Sequence, residues 1–340
     1  MYPAIESHYV ETRDGLFFAV KGLVHPPDRI IGILRYIPDP NGERHKGGIH
    51  YSRLYHFAEQ VQYLQDSHPE YLAFEPTVQA TLQSVPRPSI QRIYDPRVRL
   101  QELSSKLKRD ALEEDAVTFI DLLHRLSGVP EASFGVSGSL LIGLHKLGSD
   151  LDITVHGEQN CLFVHRALTQ ILSQGGSPTL SRLDKAGMDV LYAERNADTH
   201  MAYSDFLQSE RRKVIQGQFN GRTYFIRFLK EIEEAGETYG SRSYFPEGKA
   251  EIEATITDDR DAIFTPCCYS LGEVRFLNGI QVNDLREIVS FRGRYCEQAQ
   301  KGDRVQAAGT LERIQDQGGR SWRRIILGNN VEDSMSTQRL

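Results

Sequence analysis

The stretch FGVSGSLLIGLHKLGSDLDITVHG, residues 134–157, contains the pattern that decides the fold. It opens with a short apolar run, followed by Gly138 and Ser139, and continues with an apolar segment that ends at Gly148. Glycine permits a sharp turn of the backbone, and apolar residues between two glycines with helical spacing are typical of a short helix. The stretch therefore predicts a strand, a Gly-Ser turn, a helix that stops at Gly148, and a second strand.

Two aspartates, Asp150 and Asp152, stand one residue apart in the second predicted strand. Since successive strand side chains point to opposite faces, both carboxylates share one face while Leu151 and Ile153 point to the other. A rise of about 3.3 Å per residue separates their Cα atoms by roughly 6.6 Å, which is close enough for both carboxylates to bind divalent cations. Unneutralised carboxylates at this distance repel each other. The spacing therefore predicts a divalent metal site.

The Gly-Ser turn is predicted to bind phosphate next to this metal site. Ser139 stands where the helix is expected to begin, and both backbone N–H groups and a hydroxyl at a helix start can contact phosphate oxygens. The stop at Gly148 returns the chain, so that Asp150 and Asp152 are expected beside Gly138.

Together these residues resemble the signature of the DNA polymerase beta-like nucleotidyltransferase superfamily, which has Gly-Ser, a gap of about ten residues, and then Asp-hydrophobic-Asp-hydrophobic. Over the whole chain, the sequence is similar to predicted stand-alone nucleotidyltransferases of archaea and some bacteria. The resemblance implies that Asp150 and Asp152 bind two Mg²⁺ ions, with Mn²⁺ as a substitute. It also implies that Gly138, Ser139 and Ser149 bind the phosphates of an incoming NTP such as ATP.

The superfamily uses a third carboxylate from a neighbouring strand. Glu253 is the preferred candidate, and Glu251 shares its face of the predicted strand AEIEATIT. Asp189, in the segment GMDVLY, is the alternative. The catalytic set implied by the resemblance is therefore Asp150, Asp152 and Glu253.

The reaction implied by the resemblance is an in-line attack of a hydroxyl on the α-phosphate of the NTP, with release of pyrophosphate. RNA is the favoured acceptor because of the accessory modules, and a protein side chain or a small metabolite is the alternative. A nucleotide-binding regulator without turnover is a third hypothesis. The presence of both Asp150 and Asp152 argues against it, because a degenerate site would be free to lose them.

The expected fold class is α+β, with a nucleotidyltransferase-type mixed sheet flanked by helices, an N-terminal α/β module and a small C-terminal module resembling a β-barrel. A proline-rich connector and a change to short β runs near Pro266 set the expected boundaries. The domains are expected to be residues 1–100, an N-terminal α+β module; 101–264, the catalytic domain; 265–328, the β module; and 329–340, a disordered tail.

Arginines and aromatic residues in the C-terminal module, including Arg313, Trp322, Arg323 and Arg324, suit contact with nucleic acid. Acidic residues are almost as frequent there, so packing or dimerisation is favoured for this module. Arg227 stands inside an aromatic strand, and if it is buried it requires a carboxylate or a phosphate as partner.

Composition places the chain among ordinary globular proteins. It has 340 residues, 25% of them charged, and a formal net charge of -6, which argues against nonspecific coating of nucleic acid. The sequence shows neither a secretory leader nor an apolar run long enough to cross a membrane, so a cytoplasmic location without a membrane partner is expected. The cysteines form no CxxC pair and are expected to be reduced. Oligomeric state stays open.

Overall fold

The computed structural model describes residues 4–196 and 201–338 and has mixed α+β architecture with three sheets. The chain divides into two compact units. Unit 1 comprises Met1–Glu75, Ala80–Ser181 and Ile215–Tyr239, and unit 2 comprises Pro76–Gln79, Arg182–Val214 and Gly240–Leu340.

The first sheet of unit 1 contains eight strands and is called here the N-terminal sheet. Its elements are β1 (Tyr9–Thr12), β2 (Phe17–Val20), β3 (Arg29–Pro38), β4 (Arg44–Lys46), β5 (Ile49–Arg53), α1 (Phe57–Ser67), β6 (Leu72–Glu75), β7 (Ala80–Pro86) and β8 (Ile90–Tyr94). The main path of the sheet runs β4-β5-β3-β2-β1-β8, and β7 pairs with β3 and β6. Both faces of the sheet are buried. One packs Phe18 and Leu34 against Leu64 of α1, and the other is lined by Tyr9 and Tyr36.

The second sheet of unit 1 contains the quoted stretch. The elements that follow the N-terminal sheet are α2 (Pro96–Ser104), α3 (Ala111–Ser127), β9 (Phe134–Val136), α4 (Gly138–Leu141), β10 (Leu151–His156), α5 (Glu158–Ser173), β11 (Leu180–Ser181), α6 (Lys185–Asn196), α7 (Tyr203–Glu210), β12 (Gln216–Phe219) and β13 (Arg222–Leu229). The sheet order is β11-β12-β13-β10-β9, in which β10 is parallel to β13 and antiparallel to β9. Helices α6 and α7 belong to unit 2. The expected strand, Gly-Ser turn and second strand are thus confirmed.

Helix α3 shows how local sequence sets the elements of this region. Asp110 accepts hydrogen bonds from the backbone N–H groups of Leu112 and Glu113, and the Glu113 side chain accepts from the Asp110 N–H, which completes a capping box. The helix ends at Gly128, whose φ of 71° is left-handed.

The prediction of a helix that continues to Gly148 is wrong. Helix α4 is a single turn that ends at Leu141, because Gly143 adopts a left-handed φ of 70°. The Leu144 N–H then donates to the Ser139 carbonyl at 2.9 Å and closes the turn. A helix of one turn supplies no extended dipole, so phosphate binding at this point depends on individual N–H and hydroxyl groups.

Unit 2 is built around the third sheet. Its strands are β14 (Arg242–Asp258), β15 (Cys267–Gly279), β16 (Leu285–Ser290), β17 (Arg304–Asp316), β18 (Ser321–Leu327) and β19 (Ser334–Thr337). The pairings run β14-β15-β16-β18-β17, and β17 pairs back to β14, so the first five strands form a ring. Strands β16 and β18 are parallel, whereas the other pairs in the ring are antiparallel. A curved β module is thus present as expected, but it includes β14, which lies before the expected start at residue 265.

The structure differs from the expected domain boundaries in three places. Residues 4–75 and 80–100 lie in the same compact unit as the quoted stretch, whereas Pro76–Gln79 belong to unit 2. The boundary at residue 264 falls inside unit 2. Strand β14, which precedes that boundary, pairs along most of its length with β17. The prediction of a disordered tail is wrong for the described residues 329–338, because β19 pairs with β17. These long-range pairings cannot be read from local composition.

Among the described residues, no helix combines the length and the apolar character needed to cross a lipid bilayer.

A half-buried histidine in the segment between β2 and β3 makes the fold sensitive to acid. The Nδ1 atom of His25 accepts from the Ile31 N–H at 3.2 Å, and Nε2 donates to the Ala4 carbonyl at 3.0 Å. This arrangement requires the neutral ring, and burial lowers the pKa of His25 to about 4. The unfolded chain binds the proton below about pH 6.5, so the free energy of unfolding falls as the pH drops from there towards 4.

We expect this histidine to remove about 3 kcal/mol of stability between neutral pH and pH 4. Urea unfolding of the wild type and of His25→Gln across this range measures it, since glutamine does not titrate. The variant's free energy of unfolding should depend less steeply on pH, and parallel pH profiles of the two proteins would contradict the expectation.

Candidate functional site

The Gly-Ser turn and the second aspartate of the quoted stretch lie in direct contact. Strand β9 pairs with β10 so that Val136 faces Ile153, and the next N–H, that of Ser137, donates to the Asp152 carbonyl at 2.8 Å. A Cβ atom built on Gly138 would lie 1.9 Å from Oδ2 of Asp152. Gly138 also has a φ of 59°, in the left-handed region. Only glycine fits this position without displacing the carboxylate.

The Asp152 carboxylate has no partner within the described part of the chain. Its side chain is half-buried between the buried Leu151 and Ile153, as the alternating pattern predicts. It forms no hydrogen bond and no ion pair with any residue in 4–196 or 201–338. Asp150 is exposed and directly precedes β10. A half-buried carboxylate without a partner favours binding of a cation.

The two predicted phosphate-binding serines differ in availability. The hydroxyl of Ser139 forms no hydrogen bond with a described residue, although the residue is only 8% exposed. The hydroxyl of Ser149 instead accepts from the Lys146 N–H at 2.9 Å, and the Ser149 N–H donates to the Lys146 carbonyl at 3.0 Å. Ser149 therefore stabilises the turn before Asp150, while Ser139 is free to contact a ligand.

One face of the N-terminal sheet packs against this part of the second sheet. Tyr9 and Tyr36 belong to the same buried cluster as Leu141, Ile142 and Leu144, which follow the Gly-Ser turn. The hydroxyl of Ser137 donates to the carbonyl of Ser7 at 2.7 Å, which ties the turn to the segment before β1. The N-terminal sheet therefore forms a wall of the candidate site.

Tyr9 and Tyr36 lie within electrostatic range of the Asp152 carboxylate. Burial raises the pKa of Tyr9, and the negative charge of Asp152 raises it further. Burial also raises the pKa of Tyr36, where Arg53 and Arg44 oppose the effect and Asp152 adds to it. Both phenols are therefore neutral at physiological pH.

Several cationic side chains lie near the wall that the N-terminal sheet forms in the candidate site. Lys21 is paired with the buried Glu6 at 2.7 Å, and Arg227, on the strand next to Asp152, lies 3.7 Å from Glu6. Arg227 is half-buried and has the Glu6 carboxylate as its partner, in agreement with the expectation that a buried arginine here needs an anion. Arg35 and Arg53 complete the group, and both have electrostatic contact with Tyr9 and Tyr36. The group brings positive charge to the wall that faces Asp152.

The prediction that Glu253 supplies the third carboxylate from a neighbouring strand is wrong. The strands next to β10 are β9 and β13, and neither contains an acidic residue. Glu253 lies in β14 of the third sheet, where Arg275, Arg304 and Gln338 contact its carboxylate. The hydrogen bond from Arg275 is the main reason that its pKa is lowered to about 2. The Glu253 carboxylate is therefore paired within the third sheet.

The two alternatives for the third carboxylate also lie outside the second sheet. Glu251 accepts from the side chain of Gln306 at 2.7 Å within the ring of strands. Asp189 lies on helix α6 and accepts from the hydroxyl of Tyr203. The second sheet brings no third acid to Asp152.

The residues present fit a divalent cation on chemical grounds. Carboxylate oxygens are the ligands that Mg²⁺ and Mn²⁺ prefer, and the Asp152 carboxylate forms no ion pair in the described ranges. Asp150 and Asp152 would hold the ion, and Gly138 leaves room for the Asp152 carboxylate. That both carboxylates bind the same ions stays a prediction.

Two arginines of the C-terminal β module, Arg323 and Arg324, are paired with acidic residues. Arg323 pairs with Glu247 at 2.8 Å and with Asp284 at 2.9 Å, and Arg324 pairs with Glu312 at 2.9 Å. These ion pairs account for the similar numbers of acidic and basic residues in the C-terminal β module. They favour a role in packing over contact with nucleic acid.

The indole of Trp322 is also covered. Arg242 and Arg286 lie 5.6 and 5.7 Å from the centroid of its ring. These cation–π contacts leave the ring less available to stack on a base.

A relative of this chain occurs in Methanocaldococcus jannaschii. It is named uncharacterized protein MJ1086 and is 28% identical over 333 residues, which cover 95% of this chain and 95% of the relative. The aligned length includes residues of both compact units. No family model matches the chain, and no solved structure matches it.

The sequence did not identify Arg35, Arg53, Tyr9 and Tyr36 as neighbours of the site. A signal is present for Arg35, because an arginine interrupts the apolar strand RIIGILRYIP much as Arg227 interrupts RTYFIRFL. The direction of the Arg35 side chain depends on strand pairing, so the sequence alone does not provide it.

Proposed function

We propose that the protein is a Mg²⁺-dependent nucleotidyltransferase that moves an NMP from an NTP to a hydroxyl acceptor. The observation that carries this proposal is the contact between Gly138 and the unpaired, half-buried Asp152 carboxylate. The contact joins the two parts of the Gly-Ser and Asp-x-Asp pattern in space. The free hydroxyl of Ser139 and the cationic side chains on the N-terminal sheet supply complementary groups for a polyphosphate.

In the proposed reaction, the acceptor oxygen forms a bond to the α-phosphorus while the bond from that phosphorus to the pyrophosphate oxygen breaks. The acceptor proton passes to solvent water and pyrophosphate leaves. Divalent cations bound by Asp150 and Asp152 would lower the pKa of the acceptor hydroxyl and stabilise the charge on the leaving group. Ser139 donates a hydrogen bond to a phosphate oxygen, and Gly138 leaves the space that the Asp152 carboxylate occupies.

The acceptor proposed first is RNA, with a protein side chain or a small metabolite as alternatives. The barrel-like ring of five strands supports this choice only weakly, since its arginines Arg323 and Arg324 are paired with acids. The acceptor class is therefore an outcome of the experiment.

The test incubates the full-length protein with Mg²⁺, each NTP labelled at the α-phosphate, and either total RNA or a proteome. We expect pyrophosphate release and label in RNA, both lost when Mg²⁺ is chelated. Label only in protein would move the proposal to a protein acceptor. Tight NTP binding without pyrophosphate release in any mixture would overturn nucleotidyl transfer and favour a regulator.

A further inference from the structure

A β-bulge in the N-terminal sheet redirects one arginine towards the candidate site. In the pairing of β2 with β3, Phe17 faces Tyr36 and Phe18 faces Leu34, so Arg35 is the extra residue of the bulge. Leu34 and Tyr36 stand two residues apart but belong to the buried clusters on opposite faces of the sheet. The bulge therefore changes the alternation of β3 at Arg35, as bulges next to functional sites often do.

Arg53 reaches the same face from the next strand. It pairs directly with Tyr36 in the register of β3 and β5. Its guanidinium lies 4.6 Å from the centroid of the Tyr55 ring, which is 56% exposed. Burial lowers the pKa of Arg53, but Tyr36, Tyr9, Tyr55 and Asp152 together raise it above its ordinary value. The contribution of Asp152 is the smallest of these, so Arg53 interacts mainly with the tyrosine hydroxyls.

Arg35 and Arg53 are both half-buried. Neither forms an ion pair with an acid in residues 4–196 or 201–338, and Nε of Arg53 is buried without a hydrogen-bond acceptor. Burial lowers the pKa of Arg35, Tyr9 opposes the effect, and Arg53 lowers it further. Desolvated cations that repel each other are unfavourable unless an anion joins them.

Neutral hydroxyls accompany these cations. Tyr9 and Tyr36 are buried, and neither hydroxyl bonds to another residue of the described chain. Because burial keeps both phenols neutral, each hydroxyl can donate to an anionic oxygen. Guanidinium forks and phenol donors together are suited to phosphate oxygens.

We propose that Arg35 and Arg53 form a polyphosphate-binding surface on the N-terminal sheet, which binds the triphosphate of the NTP and then the pyrophosphate product. The inference rests on the proposed function for the identity of the nucleotide, but the surface can bind a polyphosphate even when no nucleotidyl transfer takes place. A terminal polyphosphate fits better than a nucleic-acid backbone because the two guanidiniums are half-buried next to Tyr9 and Tyr36 rather than spread along an open groove. Tyr36, which faces Arg53 across the pairing of β3 and β5, packs in one buried cluster with Leu141 and Ile142, directly after the Gly-Ser turn. This packing places the surface beside the candidate site.

Calorimetric titration of the full-length protein with inorganic tripolyphosphate, without Mg²⁺, tests the proposal. We expect Arg35→Gln and Arg53→Gln each to raise the Kd by about tenfold or more, because each removes charged hydrogen bonds to the anion. Arg35→Lys keeps the charge without the fork and should give an intermediate Kd. Arg29→Gln is the matched control, since Arg29 lies on the same strand but is paired with Asp28 and Ser84.

Asp152→Asn separates this proposal from the proposed function. The variant removes a negative charge near the arginines and should bind tripolyphosphate at least as well as the wild type, even if nucleotidyl transfer is absent. Wild-type affinity in both Arg35→Gln and Arg53→Gln, or no binding by the wild type, would overturn the polyphosphate surface. Arginine-dependent binding of single-stranded RNA that lacks a 5′-triphosphate, without binding of tripolyphosphate, would also overturn it. Circular dichroism of every variant verifies its fold.

Discussion

Asp152→Asn is expected to reduce Mg²⁺-dependent nucleotidyl transfer by about a thousandfold or more, since a carboxylate that binds the catalytic cation contributes several kcal/mol to the barrier. Asparagine has nearly the same shape but no charge. Asp152 forms no hydrogen bond or ion pair with any residue of the described ranges, so its loss removes no internal contact of that kind. The free energy of unfolding should therefore stay close to that of the wild type. Initial rates of pyrophosphate release, with urea unfolding in parallel, measure both effects.

Asp121→Asn provides the matched control for this change. Asp121 is a half-buried residue of α3, like Asp152, and its carboxylate is paired with Arg125 at 2.9 Å. The same chemical change is thus made away from the candidate site in the same unit. Its activity and stability should equal those of the wild type. Nucleotidyl transfer at the wild-type rate by purified Asp152→Asn would contradict the two-carboxylate mechanism. A large loss of stability without a specific loss of activity would assign Asp152 a structural role.

Gly138→Ala is expected to lower activity by about a hundredfold, because its Cβ would displace the Asp152 carboxylate by an ångström or more. The new atom would meet Oδ2 of Asp152 at 1.9 Å and its Cγ at 2.7 Å. The left-handed φ of 59° adds a backbone cost of about 1–2 kcal/mol to the fold. Activity at saturating Mg²⁺ and the thermal unfolding midpoint separate the displacement of the carboxylate from the backbone cost.

Gly143→Ala distinguishes those two contributions further. Gly143 has a similar φ of 70° in the turn after α4, but a Cβ built on it would meet nothing within 4 Å. It should lose comparable stability and keep its activity. Equal losses of activity in Gly138→Ala and Gly143→Ala would show that the contact between residue 138 and Asp152 does not affect activity.

The sequence predicted the centre of the candidate site because its parts are close together along the chain. Gly138 and Asp152 lie in one stretch of local strand, turn and strand, and β9 pairs directly with β10. Alternation along β10 likewise buries Leu151 and Ile153 and leaves Asp152 half-exposed. The same reasoning failed for the helix after Ser139, where the left-handed Gly143 ends α4 after one turn.

The sequence alone did not predict which strands pair when they are far apart along the chain. The segment around Glu253 has a clear strand pattern, but its pattern does not reveal its partners, which are β15 and β17. Because this segment joins the third sheet, Glu253 does not lie on a strand next to Asp152. The same long-range pairing moved the domain boundary and ordered residues 334–337 as β19.

By itself, the sequence determined that a Gly-Ser turn lies against the Asp-x-Asp strand, because backbone alternation and glycine conformation act over a few residues. Only the tertiary structure decided which cations lie near those aspartates. Arg35 reaches the site because β3 bulges against β2, and Arg53 because β5 pairs with β3. Side-chain direction in a sheet is set by register, and register is a property of paired strands rather than of any single segment.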